Sequence, residues 1–135
     1  MSDHPDFSGV WRADFKRSRL EIEAPDSSVF RVRHEDPEFV MTRTHAAGGR
    51  EDTFSVRLTT DGQEHVHHKG DLEIQSRCAW DADGLLFTST ILFGGSEAKN
   101  VVRYALSGDG RELWADETYT GPPKSYHNVW VMVRE

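Results

Sequence analysis

LFTSTILFGGSEAKNVVRYAL, residues 86–106, decides how the chain reads. Phe87, Ser89, Ile91 and Phe93 fall on one side of its first half, and Val102, Tyr104 and Leu106 on one side of its second, the period of two that a half-buried strand imposes. Between the halves stands Gly94-Gly95, the residue type that tight hairpin loops demand. Lys99 and Arg103 then point the other way. The stretch is a β-hairpin with one largely apolar face.

The same rhythm runs outward in both directions. Turn signals stand at Glu35-Asp36-Pro37, Ala47-Gly48-Gly49, Asp61-Gly62, Gly70-Asp71, Asp81 to Gly84, Ser107 to Gly110 and Gly121-Pro122-Pro123, besides Gly94-Gly95. The segments between them are short and rich in β-branched and aromatic residues, and Phe54, Val56 and Leu58 alternate as cleanly as the first hairpin. A further strand over Gly9 to Asp14 brings the expected number to about ten. No βαβ rhythm is present, and Phe15 to Glu23 is the only window with helical character, limited to about two turns by Pro25. Ten strands in an open sheet leave two exposed edges, so the predicted fold is all-β: a single up-and-down antiparallel barrel spanning residues 1–135. More than about eight strands make the interior too wide for side chains to fill, which predicts a cavity.

Composition agrees with one globular domain. The chain has 135 residues, 36% hydrophobic and 29% charged, and no apolar run long enough to span a membrane as a helix. The N-terminal MSDHPDFSG has neither a basic nor an apolar leader region, so a cytoplasmic location is expected. A net charge of −7 disfavours nucleic acid, and Lys16-Arg17-Ser18-Arg19 reads as a solvated edge. Cys78 stands alone, which excludes an intrachain disulfide and reads as a buried thiol. The sequence leaves monomer and homodimer open.

Asp6-Phe7-Ser8-Gly9-Val10-Trp11-Arg12 resembles the F-x-G-x-W entry strand of the calycins, the superfamily of lipocalins, fatty-acid-binding proteins and nitrobindin-like proteins. In its hairpin rhythm the whole chain looks like the bacterial lipocalin-like members. The resemblance implies that Trp11 closes one end of the barrel beneath Arg134, a cation–π contact of about 0.5–2 kcal/mol. Two departures matter. Phe15 to Ser27 is too short for the helix-turn-helix lid of fatty-acid-binding proteins, and their carboxylate-holding arginine and tyrosine have no secure counterpart, so fatty acid is not carried over as ligand.

The leading functional expectation is a binding module holding a small, largely apolar molecule, with no cofactor. Phe54, Val56, Phe87, Ile91, Tyr104 and Tyr119 form the expected wall, and Glu117 supplies a polar contact. Glu117 shares a face with Leu113, Ala115 and Tyr119, and Trp114, Asp116 and Thr118 are the rival inward face. In an enzymatic alternative, an isomerase, cyclase or hydratase, Glu117 and Tyr104 move protons on a hydrophobic substrate. A second alternative is metal or haem binding through His65 and His67, which share a strand face; Asp71, Glu73 or His127 would have to add a ligand, and a polar hairpin without stoichiometric metal is the preferred reading. An interior Arg43 would favour an anionic ligand, although a strand end turning to solvent is the commoner explanation for Arg43, His34 and His45. On the last strand both Val129-Val131-Val133 and Trp130-Met132 are credible inward faces. No nucleophile elbow, P-loop, Rossmann fingerprint or HExxH motif occurs.

Overall fold

A computed structural model describes residues 4–135. Ten strands follow one another along the chain: β1 (Gly9–Ala13), β2 (Ser27–Glu35), β3 (Glu38–Ala47), β4 (Arg50–Thr59), β5 (His65–Lys69), β6 (Leu72–Asp81), β7 (Gly84–Phe93), β8 (Ser96–Leu106), β9 (Glu112–Thr120) and β10 (Tyr126–Arg134). They form one antiparallel sheet in the order β4-β3-β2-β1-β10-β9-β8-β7-β6-β5. Every neighbouring pair is sequential in the chain except β1 with β10, which joins the two arms. The sheet curls into a nearly closed up-and-down barrel whose two end strands, β4 and β5, lie side by side without a hydrogen-bonded ladder. Each expected turn signal falls at a strand junction. At Gly94-Gly95 both residues have positive φ, 50° and 79°, which a two-residue hairpin matched to the sheet twist requires.

The entry strand closes one end. Trp11 is fully buried, its Nε1 donates to the Phe7 carbonyl at 3.0 Å, and the Arg134 guanidinium carbon lies 4.2 Å from the centre of its ring. Arg134 also donates to the carbonyls of Ser8 (2.6 Å) and Gly110 (3.1 Å). The glycine of G-x-W has its reason here: a Cβ at Gly9 would stand 2.5 Å from Arg134 Nη1. His34 belongs to this floor and not to a solvated strand end. It is buried, accepts from the Phe7 amide at Nδ1 (3.2 Å), and so donates from Nε2 to Asp36 (3.0 Å). Phe39, Leu58 and Leu85 complete the floor as fully buried apolar residues.

Among the described residues there is no helix, so the window Phe15 to Glu23 is corrected. After a turn at residues 15–17 the chain runs beside β10 as a strap, with Arg19 and Val129 exchanging backbone hydrogen bonds of 2.8 Å. The cause lies in β10, which is longer than β1. Its groups before Met132 would lack partners on that side, and the strap supplies them: Asp14 N–H donates to the Val131 carbonyl and the Val131 N–H donates to Ser18 Oγ. Phe15, Leu20 and Ile22 pack against the core from the strap.

Candidate functional site

Above the aromatic floor the barrel holds a cavity of about 330 Å³. Alternation on the strands decides its walls. Phe54 and Val56 reach it from β4, Phe87 and Ile91 from β7, Tyr104 from β8 and Glu117 from β9. Met41, Ile74 and Val102 fill positions between them. Tyr119 does not line it. That side chain lies farther along β9, where its ring stacks on Tyr126 at 4.8 Å and its hydroxyl donates to the Pro122 carbonyl.

Glu117 points inward, which settles the choice of face on β9: Leu113 and Ala115 are buried, and Trp114, Asp116 and Thr118 are exposed. Three side chains hold its carboxylate. Asn128 Nδ2 (3.0 Å) and Trp130 Nε1 (2.9 Å) donate to Oε1, and Asn100 Nδ2 (2.9 Å) donates to Oε2. A carboxylate offers roughly four acceptor sites, so about one is left for anything else in the cavity. Asn128 extends the network to the strap by accepting the Glu21 N–H at 2.8 Å. The inward face of β10 is therefore Asn128, Trp130 and Met132, although Val131 is buried as well. Pairing in the sheet explains the cluster, because Asn128 stands opposite Glu117 on β9 and Glu117 opposite Val102, two residues past Asn100, on β8.

Arg43 and His45 also line the cavity and do not turn to solvent. Their strand pairs with β2 so that Arg43 faces Phe30 and His45 faces Ser28, both inward positions. His45 sits 5.7 Å from Trp130 in a stacked arrangement and shares a 2.6 Å hydrogen bond with Ser28 Oγ. Burial, reinforced by the neighbouring Arg43 cation, lowers its pKa to about 4, so the ring is neutral at neutral pH. Arg43 lies 5.7 Å from the centre of the Phe54 ring, and its buried Nε has no hydrogen-bond partner. Leaving such a donor unsatisfied costs about 1–3 kcal/mol. Tyr104 packs edge-on against Phe87 at 4.8 Å, its hydroxyl makes no hydrogen bond among the described residues, and burial raises its pKa.

The histidine cluster lies at the sheet end on β5. His65 Nε2 is 3.0 Å from Thr59 Oγ1, while His67 Nε2 is buried without a partner and burial lowers the pKa of that ring. Glu73 accepts from Gln75, and His127 pairs with Asp116 on β9 at 2.7 Å. Among the described residues no three His, Cys, Asp or Glu side chains converge as a metal site would require. Cys78 is buried, and desolvation pushes its thiol up to about 12.

Sequence alternation identified most of the apolar wall, left Trp130 open between two faces of the last strand, favoured the solvent-facing course for Arg43, and missed Asn100. Asn100 was within reach of the pattern, standing two residues before Val102 on the face already read as inward.

No family model and no curated protein matches the chain. Solved structures do. Secretory abundant heat soluble protein 4 from Ramazzottius varieornatus has a TM-score of 0.62 at 12% identity, over 100% of this chain and 99% of that one. Zebrafish ileal bile acid-binding protein, solved with cholic acid, has a TM-score of 0.58 at 16% identity, over 96% and 98% of the two chains. The Schistosoma mansoni fatty acid binding protein, solved with arachidonic acid, has a TM-score of 0.56 at 11% identity, over 99% of both. At these identities the likeness is one of architecture, and with the ten-stranded meander it gives this chain the calycin-like β-barrel fold.

Proposed function

We propose that the barrel binds a small, largely apolar molecule in its interior. The observation that carries this reading is the cavity of about 330 Å³, walled mainly by aliphatic and aromatic side chains and lying above a packed floor. Close-packed interiors contain few voids larger than a water molecule, so a space of this size in a chain that packs its floor fully is a site for a ligand. The zebrafish and Schistosoma proteins, solved with cholic acid and with arachidonic acid, share this architecture and support it.

Titration with the neutral dye N-phenyl-1-naphthylamine tests the reading. One saturable site per chain with enhanced emission is expected. Ile91→Trp, which fills the cavity from β7, should weaken binding by about tenfold or more without lowering the unfolding midpoint greatly. No saturable binding, or binding indifferent to the filled cavity, sinks the proposal.

A further inference from the structure

The charged groups of the cavity are unevenly matched. Glu117 is answered by Asn100, Asn128 and Trp130. Asp52 accepts a 2.9 Å ion pair from Lys69. His45 bonds to Ser28 and is neutral at neutral pH. Arg43 is left over. Among the described residues its guanidinium has neither a hydrogen bond nor a carboxylate within ion-pair distance; one aromatic face, Phe54, lies against it, and its Nε is already withdrawn from water. An arginine is never deprotonated in a protein, so the cavity wall carries a permanent cation.

We propose that Arg43 selects the ligand, which is an amphipathic molecule with one oxyanion head group on that guanidinium and an apolar body along β7 and β8. This rests on the reading of the barrel as an apolar-ligand carrier and adds the class of ligand. The guanidinium presents planar, forked N–H donors that match the two oxygens of a carboxylate, sulfonate or phosphate ester. Such a head group supplies the acceptor that Nε lacks. Glu117 also lines the cavity, and its carboxylate, an acceptor only, repels an anion, so the head group has Arg43 as its partner and not Glu117. Apolar length then has Val102, Phe87 and Ile91 to lie against.

Displacement of N-phenyl-1-naphthylamine by two competitors of equal chain length, decanesulfonate and decanol, tests this on the unaltered protein. Decanesulfonate should compete at least about tenfold more tightly. In Arg43→Met the preference of decanesulfonate over decanol should vanish, and Arg43→Lys should retain part of it. Decanol competing as well as decanesulfonate on the unaltered protein overturns the inference, as does a preference that survives Arg43→Met. The unaltered-protein comparison decides the matter even where Arg43→Met does not fold. A protein that binds no dye at all removes the carrier reading, and this inference with it. Dye binding with no preference between the competitors removes only the role of Arg43.

Discussion

Glu117 ties its own strand β9 to β8 through Asn100 and to β10 through Asn128 and Trp130, all of which donate to it. Glu117→Ala should therefore cost about 3 kcal/mol or more, as three donors lose their acceptor at about 1–3 kcal/mol each. Glu117→Gln should retain most of the stability. Asn100 Oδ1 is buried without a partner, so a turned Asn100 amide can accept from the new side-chain NH₂. Urea melts of both variants check this, and equal losses would mean that the network contributes little. The residue scale is also where the sequence was least legible. Alternation groups Phe39, Met41, Arg43 and His45 on one face, but it carries no sign for where that face leaves the core, and a charged residue at its end reads as solvent-facing. Trp11 was legible because G-x-W couples a bulky ring to a glycine beneath Arg134, a contact between groups far apart in the chain.

At the scale of elements, the barrel is weakest where β4 meets β5. Side chains hold that boundary in place of a ladder: Lys69 to Asp52 at 2.9 Å, and Thr59 to His65 at 3.0 Å. The exposed Lys69–Asp52 pair contributes about 0–1 kcal/mol. Amide exchange should consequently be fastest, among the strands, in β5, which has five residues and one ladder, and slowest across β9 and β10, which are paired on both sides. Exchange measured by mass spectrometry or NMR checks the order, and a protected β5 would imply a closed ladder there. Strand number, order of turns and inward periodicity were all legible, because each hairpin is a local event written in glycine, proline and alternation. The strap over residues 14–25 was not, since its conformation answers unpaired groups on β10, more than 100 residues away in the chain.

For the whole molecule, acidity is a lever on stability. His45 has a folded pKa of about 4 against 6.5 for an ordinary histidine, and His67 is shifted the same way by burial. The unfolded chain then binds more protons, so their contribution is complete above about pH 6.5 and is lost as pH falls toward 4. Asp36 and Asp52, whose pKa values are lowered, extend the loss below the ordinary carboxylate value of 3.8. Urea midpoints measured from pH 7.5 to 4 should fall through that window; a flat profile would place both rings in solvent. The junction of β1 with β10 has a consequence of another kind. All other strand ladders form between neighbours in sequence, but this one, continued by the strap along β10, brings Arg134 against Ser8, 126 residues away. Loop-closure entropy falls almost wholly on that single seam, and chains dominated by distant contacts fold slowly. Two arms of hairpins can thus assemble independently, and the time the protein takes to become a barrel is the time its first strand needs to find its last.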